Sequence, residues 1–191
     1  MKPKGRESHY FDWRWNEKLN TPEEHHRYYM GWYEQELLHH HPSLLTGEST
    51  PSYMLYNSLT LQRIKTVCPW AKLFVILRDP VERAYSQYQM MSDPEGTPQQ
   101  KKNRGTLAVG RSFEEVLEVE FKELEEHGIN SESSTEEFAR YVQTRPMTHG
   151  GHSILARGMY ALQLQPWMQE YDKTQLMVLF LDDMKRDLQA T

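Results

Sequence analysis

Arg78 and Ser86 are the residues of this 191-residue chain best suited, by type and position, to grip a phosphate. A guanidinium presents a planar fork of donors that matches phosphate oxygens, and a nearby hydroxyl adds one more donor. A second constellation stands near the start. Glu7 and His9 alternate in Glu7-Ser8-His9-Tyr10-Phe11-Asp12, so an extended backbone would point both to one side. Each has a plainer reading: Arg78 could pair with the local carboxylate Glu82, and Glu7 could be a surface carboxylate beside an aromatic strand.

The elements around Arg78 decide how it is presented. Leu73-Phe74-Val75-Ile76-Leu77 carries no charge and predicts a strand buried on both faces, as a parallel sheet requires. A helix start follows at once, with Asp79 as N-cap, Pro80 at the first helical position and Glu82 completing a capping box. Arg78 therefore falls at the carboxyl end of a strand, the edge at which open α/β sheets bind ligands, and Ser86 falls about two turns into the helix of 80–91.

Elsewhere the pattern predicts a helix over 22–38 with Tyr29, Trp32, Tyr33 and Leu37 on one face, a short strand at 44–46 and a helix over 57–67. Residues 92–111 read as a mobile loop. A helix over 113–126 follows, with Phe113, Val116, Leu117, Phe121 and Leu124 inward and its glutamates in solvent. Next come a short helix around Phe138, Tyr141 and Val142, a Gly-His loop at 149–152, and an amphipathic helix over 154–171. That last helix turns Tyr160, Leu164 and Trp167 inward, and Pro166 should kink it or mark an early boundary. Leu176 to Leu181 predicts a second apolar strand, and two such strands separated by helices imply a parallel α/β sheet.

Length suits one domain with a sizeable core. A hydrophobic content of 38% and a mean hydropathy of −0.81 describe a polar chain, and 12% aromatic residues supply the burial of a folded one. The formal charge of −5 gives no electrostatic footprint for nucleic acid. The single cysteine, Cys68, excludes an intrachain disulfide and a thiolate cluster, and is expected to pack as a small apolar residue beside Trp70. No run approaches the roughly 20 apolar residues of a membrane span, so the segment itself reads as soluble, without direct membrane contact. His25-His26, His39-His40-His41, His149 and His152 lack the spacing of a metal site, and adjacent histidines on a polar helix are expected to be solvated.

The string Leu77-Arg78-Asp79-Pro80-Val81-Glu82-Arg83-Ala84-Tyr85-Ser86-Gln87-Tyr88 resembles the second nucleotide-binding segment of sulfotransferases that use 3′-phosphoadenosine 5′-phosphosulfate (PAPS). The resemblance implies that Arg78 and Ser86 hold the 3′-phosphate of that cofactor. Glu7 to Asp12 is similar to the Glu-x-His-(aromatic)-Phe-Asp segment of heparan-sulfate-type members, which implies Glu7 as catalytic base, His9 as its proton-sharing partner and Asp12 on the acceptor side. Gly47-Glu48-Ser49-Thr50-Pro51-Ser52-Tyr53 matches a third segment and places Glu48 on the acceptor side. Ser49 stands where many members carry lysine, a form that looks more like the branch acting on sulfated N-acetylgalactosamine. Arg157-Gly158-Met159-Tyr160 with Trp167 resembles the family's late helix.

The family implies a P-loop-NTPase-like three-layer α/β/α fold, a carbohydrate acceptor, no metal, and a Golgi lumen location on a membrane-anchored parent. The family's opening Lys-x-Gly-Thr-Thr-like loop has no counterpart in this sequence, where Gly5 is the only early glycine. The resemblance runs from Glu7 to about Asp183. The chain is therefore expected to be a single partial domain truncated at both ends, without the first strand and the phosphosulfate loop, and inactive or nearly so by itself. The competing readings are a non-catalytic binding or assembly module that keeps the fold, and a nucleotide kinase, which the absence of a G-x-x-x-x-G-K-(S/T) loop weakens.

Overall fold

A computed structural model of the chain describes residues 7–33, 35–41, 43–55, 57–144 and 153–189. Gly5, His149 and His152 lie outside these residues, as does the Gly-His loop of 149–152. The chain forms two compact units, Met1–Ala71 and Lys72–Thr191, each described by itself.

The first unit holds α1 (Pro22–Met30), α2 (Gln35–His40) and α3 (Asn57–Val67). Thr21 caps α1 in a full capping box with Glu24, and Pro22 sits in its first turn. The helix expected over 22–38 is broken, because α1 ends at Gly31 and α2 starts afresh at Gln35. Tyr29 and Tyr33 are buried as expected; the side chain of Leu37 lies outside those described. No strand forms at 44–46. The core is aromatic: Tyr10 is fully buried, with Tyr29 stacked on it at 5.4 Å and Phe11 packed against Tyr29 at 4.9 Å. Leu55, Leu61, Ile64, Val67 and Cys68 complete it. Trp70 is exposed and meets His26 edge-on. His25 is also a correction. It is buried, stacked on Trp15 at 3.7 Å and hydrogen-bonded to the Tyr10 hydroxyl at 2.7 Å.

The second unit is α/β. Strands β1 (Leu73–Leu77) and β2 (Leu176–Phe180) pair in parallel, with Val75 opposite Val178. Between them come α4 (Pro80–Ser92), α5 (Pro98–Arg104), α6 (Phe113–Glu126), α7 (Thr135–Gln143), a 3-10 turn (Ala156–Gly158) and α8 (Tyr160–Glu170), and α9 (Leu181–Gln189) follows β2. The sheet is not buried on both faces: Phe74, Ile76 and Met177 are exposed on one face, and Phe180, beside Leu77 on the other, is exposed as well. Within 92–111, residues 98–104 form α5, capped by Thr97 in a full capping box with Gln100.

Helix α6 matches its expected span, but two positions differ. Phe121 faces solvent, and Glu120, expected there, is buried. Helix α7 buries Phe138, Tyr141 and Val142 as expected. Helix α8 begins only at Tyr160 and runs through Pro166, with Gln163, Leu164 and Trp167 buried. The core of this unit gathers Ala84, Met91, Ala108, Val116 and Ile154, with Tyr88, Leu107, Phe113 and Leu117 against it. No described helix is long and apolar enough to cross a membrane.

Candidate functional site

The catalytic candidates Glu7 and His9 are brought together with Asp12 in the first unit, though not by an extended strand. Residues 10–14 form a turn, and His9 sits at φ 52°, a left-handed conformation that costs an ordinary side chain roughly 1–2 kcal/mol. The bend places the imidazole between two carboxylates. Its Nε2 lies 3.0 Å from Glu7 Oε2 and its Nδ1 lies 2.9 Å from Asp12 Oδ2. Exposure falls along this line, from 37% for the Glu7 side chain to 4% for His9 and 0% for Asp12. The outer carboxylate meets solvent and the inner one is sealed.

Burial is the largest influence on His9 and disfavours its charge. The hydrogen bond and charge of Asp12, then those of Glu7, together outweigh it, so His9 titrates above the ordinary 6.5. The array is thus a carboxylate–imidazole–carboxylate relay that can accept a proton at its Glu7 end and spread the charge inward. Asp12 is locked. Its Oδ1 accepts from the Trp13 backbone N–H at 2.6 Å, and its Oδ2 also accepts from the Ser52 hydroxyl at 2.6 Å. From α3, Arg63 donates to the carbonyls of Asp12 and Phe11. Sealed in this way, Asp12 supports His9 rather than meeting an acceptor directly.

Glu48 ties the segment 47–53 to the same turn. One carboxylate oxygen accepts from the Ser8 backbone N–H at 2.9 Å and the Thr50 hydroxyl at 2.6 Å. The other accepts from the hydroxyls of Tyr53 at 2.8 Å and Tyr29 at 3.3 Å. With its oxygens so engaged, Glu48 is a strut of the Glu7–His9 turn. Burial first, then the Glu48 charge, raises the phenols of Tyr29 and Tyr53, so both remain donors to it. Ser52 and Trp13 escaped the sequence reading. Ser52 lies in the Glu48 segment, and Trp13 adjoins Asp12. The exposed Trp13 ring stands 5.2 Å from the His9 ring, with the Arg14 guanidinium 4.4 Å from its centroid.

The phosphate candidates lie in the second unit, where β1 and α4 form the predicted corner. Asp79 caps α4, its Oδ1 accepting from the backbone N–H groups of Val81 and Glu82 at 2.9 Å each. The Glu82 side chain does not close a capping box. It turns to Arg78, whose Nε and Nη2 both donate to Glu82 Oε2 at 3.1 Å. This is the local pairing that the plainer reading offers. Its form still fits an anion: two guanidinium donors converge on one carboxylate oxygen, as they would on a phosphate oxygen. Ser86 is exposed on α4, two turns further on. The arginine is half-exposed and its partner more so, and such a surface pair contributes only about 0–1 kcal/mol, so the fork is held only weakly.

The late segment adjoins this corner. A Cβ on Gly158 would stand 3.3 Å from Pro80 Cβ, so only glycine allows the approach without displacement. The Tyr160 hydroxyl donates to the Arg78 carbonyl at 2.9 Å. Among the described residues no cluster of His, Cys, Asp and Glu is arranged to hold a metal ion.

A family model described as a sulfotransferase domain matches residues 6–191, across both units. The fold is similar to the crystal structure of a sulfotransferase from Alicyclobacillus acidocaldarius, with a TM-score of 0.52 and 21% identity. That alignment covers 97% of this chain, which spans 64% of the length of the bacterial protein.

Proposed function

Because the chain belongs to the sulfotransferase family, we propose that it moves a sulfuryl group from PAPS to a hydroxyl or amine of a carbohydrate acceptor. The observation that carries this reading is the Arg78 fork at the end of β1, converged on a single carboxylate oxygen. When bound, PAPS supplies the activated sulfuryl group. Arg78 and Ser86 are the residues of this chain that would hold its 3′-phosphate.

On the acceptor side, Glu7 takes the proton that the attacking hydroxyl or amine gives up. His9 shares that proton across the 3.0 Å contact, and Asp12 stabilises the imidazolium from the buried side. Glu48 and Ser52 hold the turn that aligns these groups. The exposed Trp13 beside His9 offers an apolar face to a sugar ring, and this supports a carbohydrate acceptor. A Golgi lumen location on a membrane-anchored parent goes with the same reading, and nucleic acid is not among the partners.

The test is to incubate the intact protein with PAPS and a panel of oligosaccharides and to follow acceptor mass. Transfer to a sugar hydroxyl or amine, cut by Glu7→Gln while nucleotide binding is spared, supports the assignment. Transfer confined to protein tyrosine or small metabolites overturns the acceptor class. Undiminished turnover in Glu7→Gln overturns the base.

A further inference from the structure

Two polar side chains outside the proposed machinery, one buried and one partly buried, hold the segment that adjoins the phosphate corner. Glu120, in line with Val116 and Leu124 on the buried face of α6, is only 2% exposed, and its Oε2 accepts from the Leu155 backbone N–H at 2.8 Å. Arg83, on α4, donates through one amino group to the Ile154 carbonyl and through the other to Gln87 Oε1 at 2.7 Å. Glu120 Oε1 and Arg83 Nε are left without hydrogen-bond partners among the described residues. A buried orphan of this kind costs roughly 1–3 kcal/mol, and two of them are retained here to hold the C=O and the N–H of the single Ile154–Leu155 peptide group. The chain between α7 and α8 is further shaped by Ser153 at φ 63°, and by Gln163, which donates to the Ala156 carbonyl at 2.9 Å. The segment fixed in this way brings Gly158 against Pro80 and Tyr160 against the Arg78 carbonyl.

We propose that Tyr160 is a positioning residue for Arg78, and that Arg83 and Glu120 act through it by fixing the segment from which it reaches. The Arg78 carbonyl belongs to the peptide that joins β1 to the Asp79 cap. Anchoring it fixes the backbone angle from which the guanidinium leaves the strand. Once a phosphate displaces Glu82, this anchor keeps the fork pre-ordered, so part of the entropic cost of binding is already met. The inference rests on the Arg78 phosphate reading and adds to it residues that touch no ligand.

The experiment measures binding of 3′-phosphoadenosine 5′-phosphate by calorimetry to the intact protein and to Tyr160→Phe, Glu120→Ala and the double variant. Tyr160→Phe keeps the ring and loses only the hydroxyl, so the Kd should rise roughly 3–10-fold, the scale of one hydrogen bond. The Michaelis constant for PAPS should rise with it, while kcat and the acceptor constant stay unchanged. Glu120→Ala should weaken binding in the wild-type background and add nothing further in the Tyr160→Phe background. Wild-type affinity in Tyr160→Phe, with Arg78→Ala clearly weakened, overturns this inference and leaves the phosphate site standing. Unchanged affinity in Arg78→Ala as well overturns the site itself. Additive losses in the double variant overturn the route from Glu120 through Tyr160, and if Glu120→Ala does not fold, the Tyr160→Phe comparison decides alone.

Discussion

Replacing Ser52 with alanine tests the relay without touching either of its titrating ends. The Ser52 hydroxyl donates at 2.6 Å to Asp12 Oδ2, the same oxygen that faces His9 Nδ1. Removing that donor leaves the Asp12 charge less satisfied, and Asp12 then draws the imidazole proton more strongly. A hydrogen bond to a charged group contributes roughly 1.5–3 kcal/mol, and a pKa unit is about 1.4 kcal/mol. Asp12 keeps the Trp13 backbone donor on its other oxygen, so a further upward shift in His9, short of the full worth of that bond, is expected. The groups that set His9 are Glu7 and Asp12, with Arg63 acting at the carbonyls of Phe11 and Asp12, Arg14 at the Ser8 carbonyl, and Glu48 at the Ser8 backbone. His9 already titrates above 6.5. Its charged form therefore adds stability that is complete below 6.5 and is lost as pH rises through the folded value. Ser52→Ala moves the upper edge of that window higher. Heteronuclear NMR titration of labelled histidine, compared with the rate–pH profile, reads both effects. An unmoved or lowered His9 titration in Ser52→Ala would refute the coupling through Asp12.

Other perturbations have equally definite outcomes. Glu82→Gln frees the Arg78 fork from its carboxylate and should tighten nucleotide binding by a factor of about 2–5, within the range of a surface pair; weaker binding in calorimetry would mean that Glu82 assists rather than competes. Glu48→Ala strands four donors around the Glu7–His9 turn and should lower stability by about 2–4 kcal/mol in urea denaturation, whereas a residue serving only a ligand would leave the midpoint unchanged. Burial pushes the Cys68 thiol up to about 11, so iodoacetamide at pH 7.5 should modify it only on unfolding, and rapid labelling of the native protein would contradict its place in the core.

How much of this was legible in the sequence depends on how local the cause is. The β1–α4 corner and α6 could be read almost residue by residue, because an uncharged apolar run, an Asp-Pro start and a spaced apolar face act over one or two turns. Asp79 caps as expected, yet Glu82 turns to Arg78, since a guanidinium at i−4 outcompetes a neutral backbone donor for a carboxylate. Glu120 is chemically indistinguishable from its solvated neighbours in sequence. Its i, i+4 spacing with Val116 and Leu124 turns it to the buried face, and the Leu155 backbone, 35 residues on, supplies the partner that lets it stay there. The left-handed backbone of His9 hides for the same reason, since Asp12, Ser52 and Thr50 hold it and two of those lie beyond residue 49. Phe74 and Ile76 follow a buried-strand pattern yet remain exposed, because burial is a property of what packs on a strand and not of the strand itself.

The central claim, that Arg78 reads a 3′-phosphate, is tested most directly by a ligand-and-mutant cycle. Wild type and Arg78→Ala are each titrated with 3′-phosphoadenosine 5′-phosphate and with adenosine 5′-phosphate, which lacks the 3′-group. Wild type should prefer the bisphosphate by a factor of about 10–100, the worth of a charged hydrogen bond, and Arg78→Ala should lose most of that preference while binding the monophosphate as before. An equal preference in both proteins would contradict the assignment.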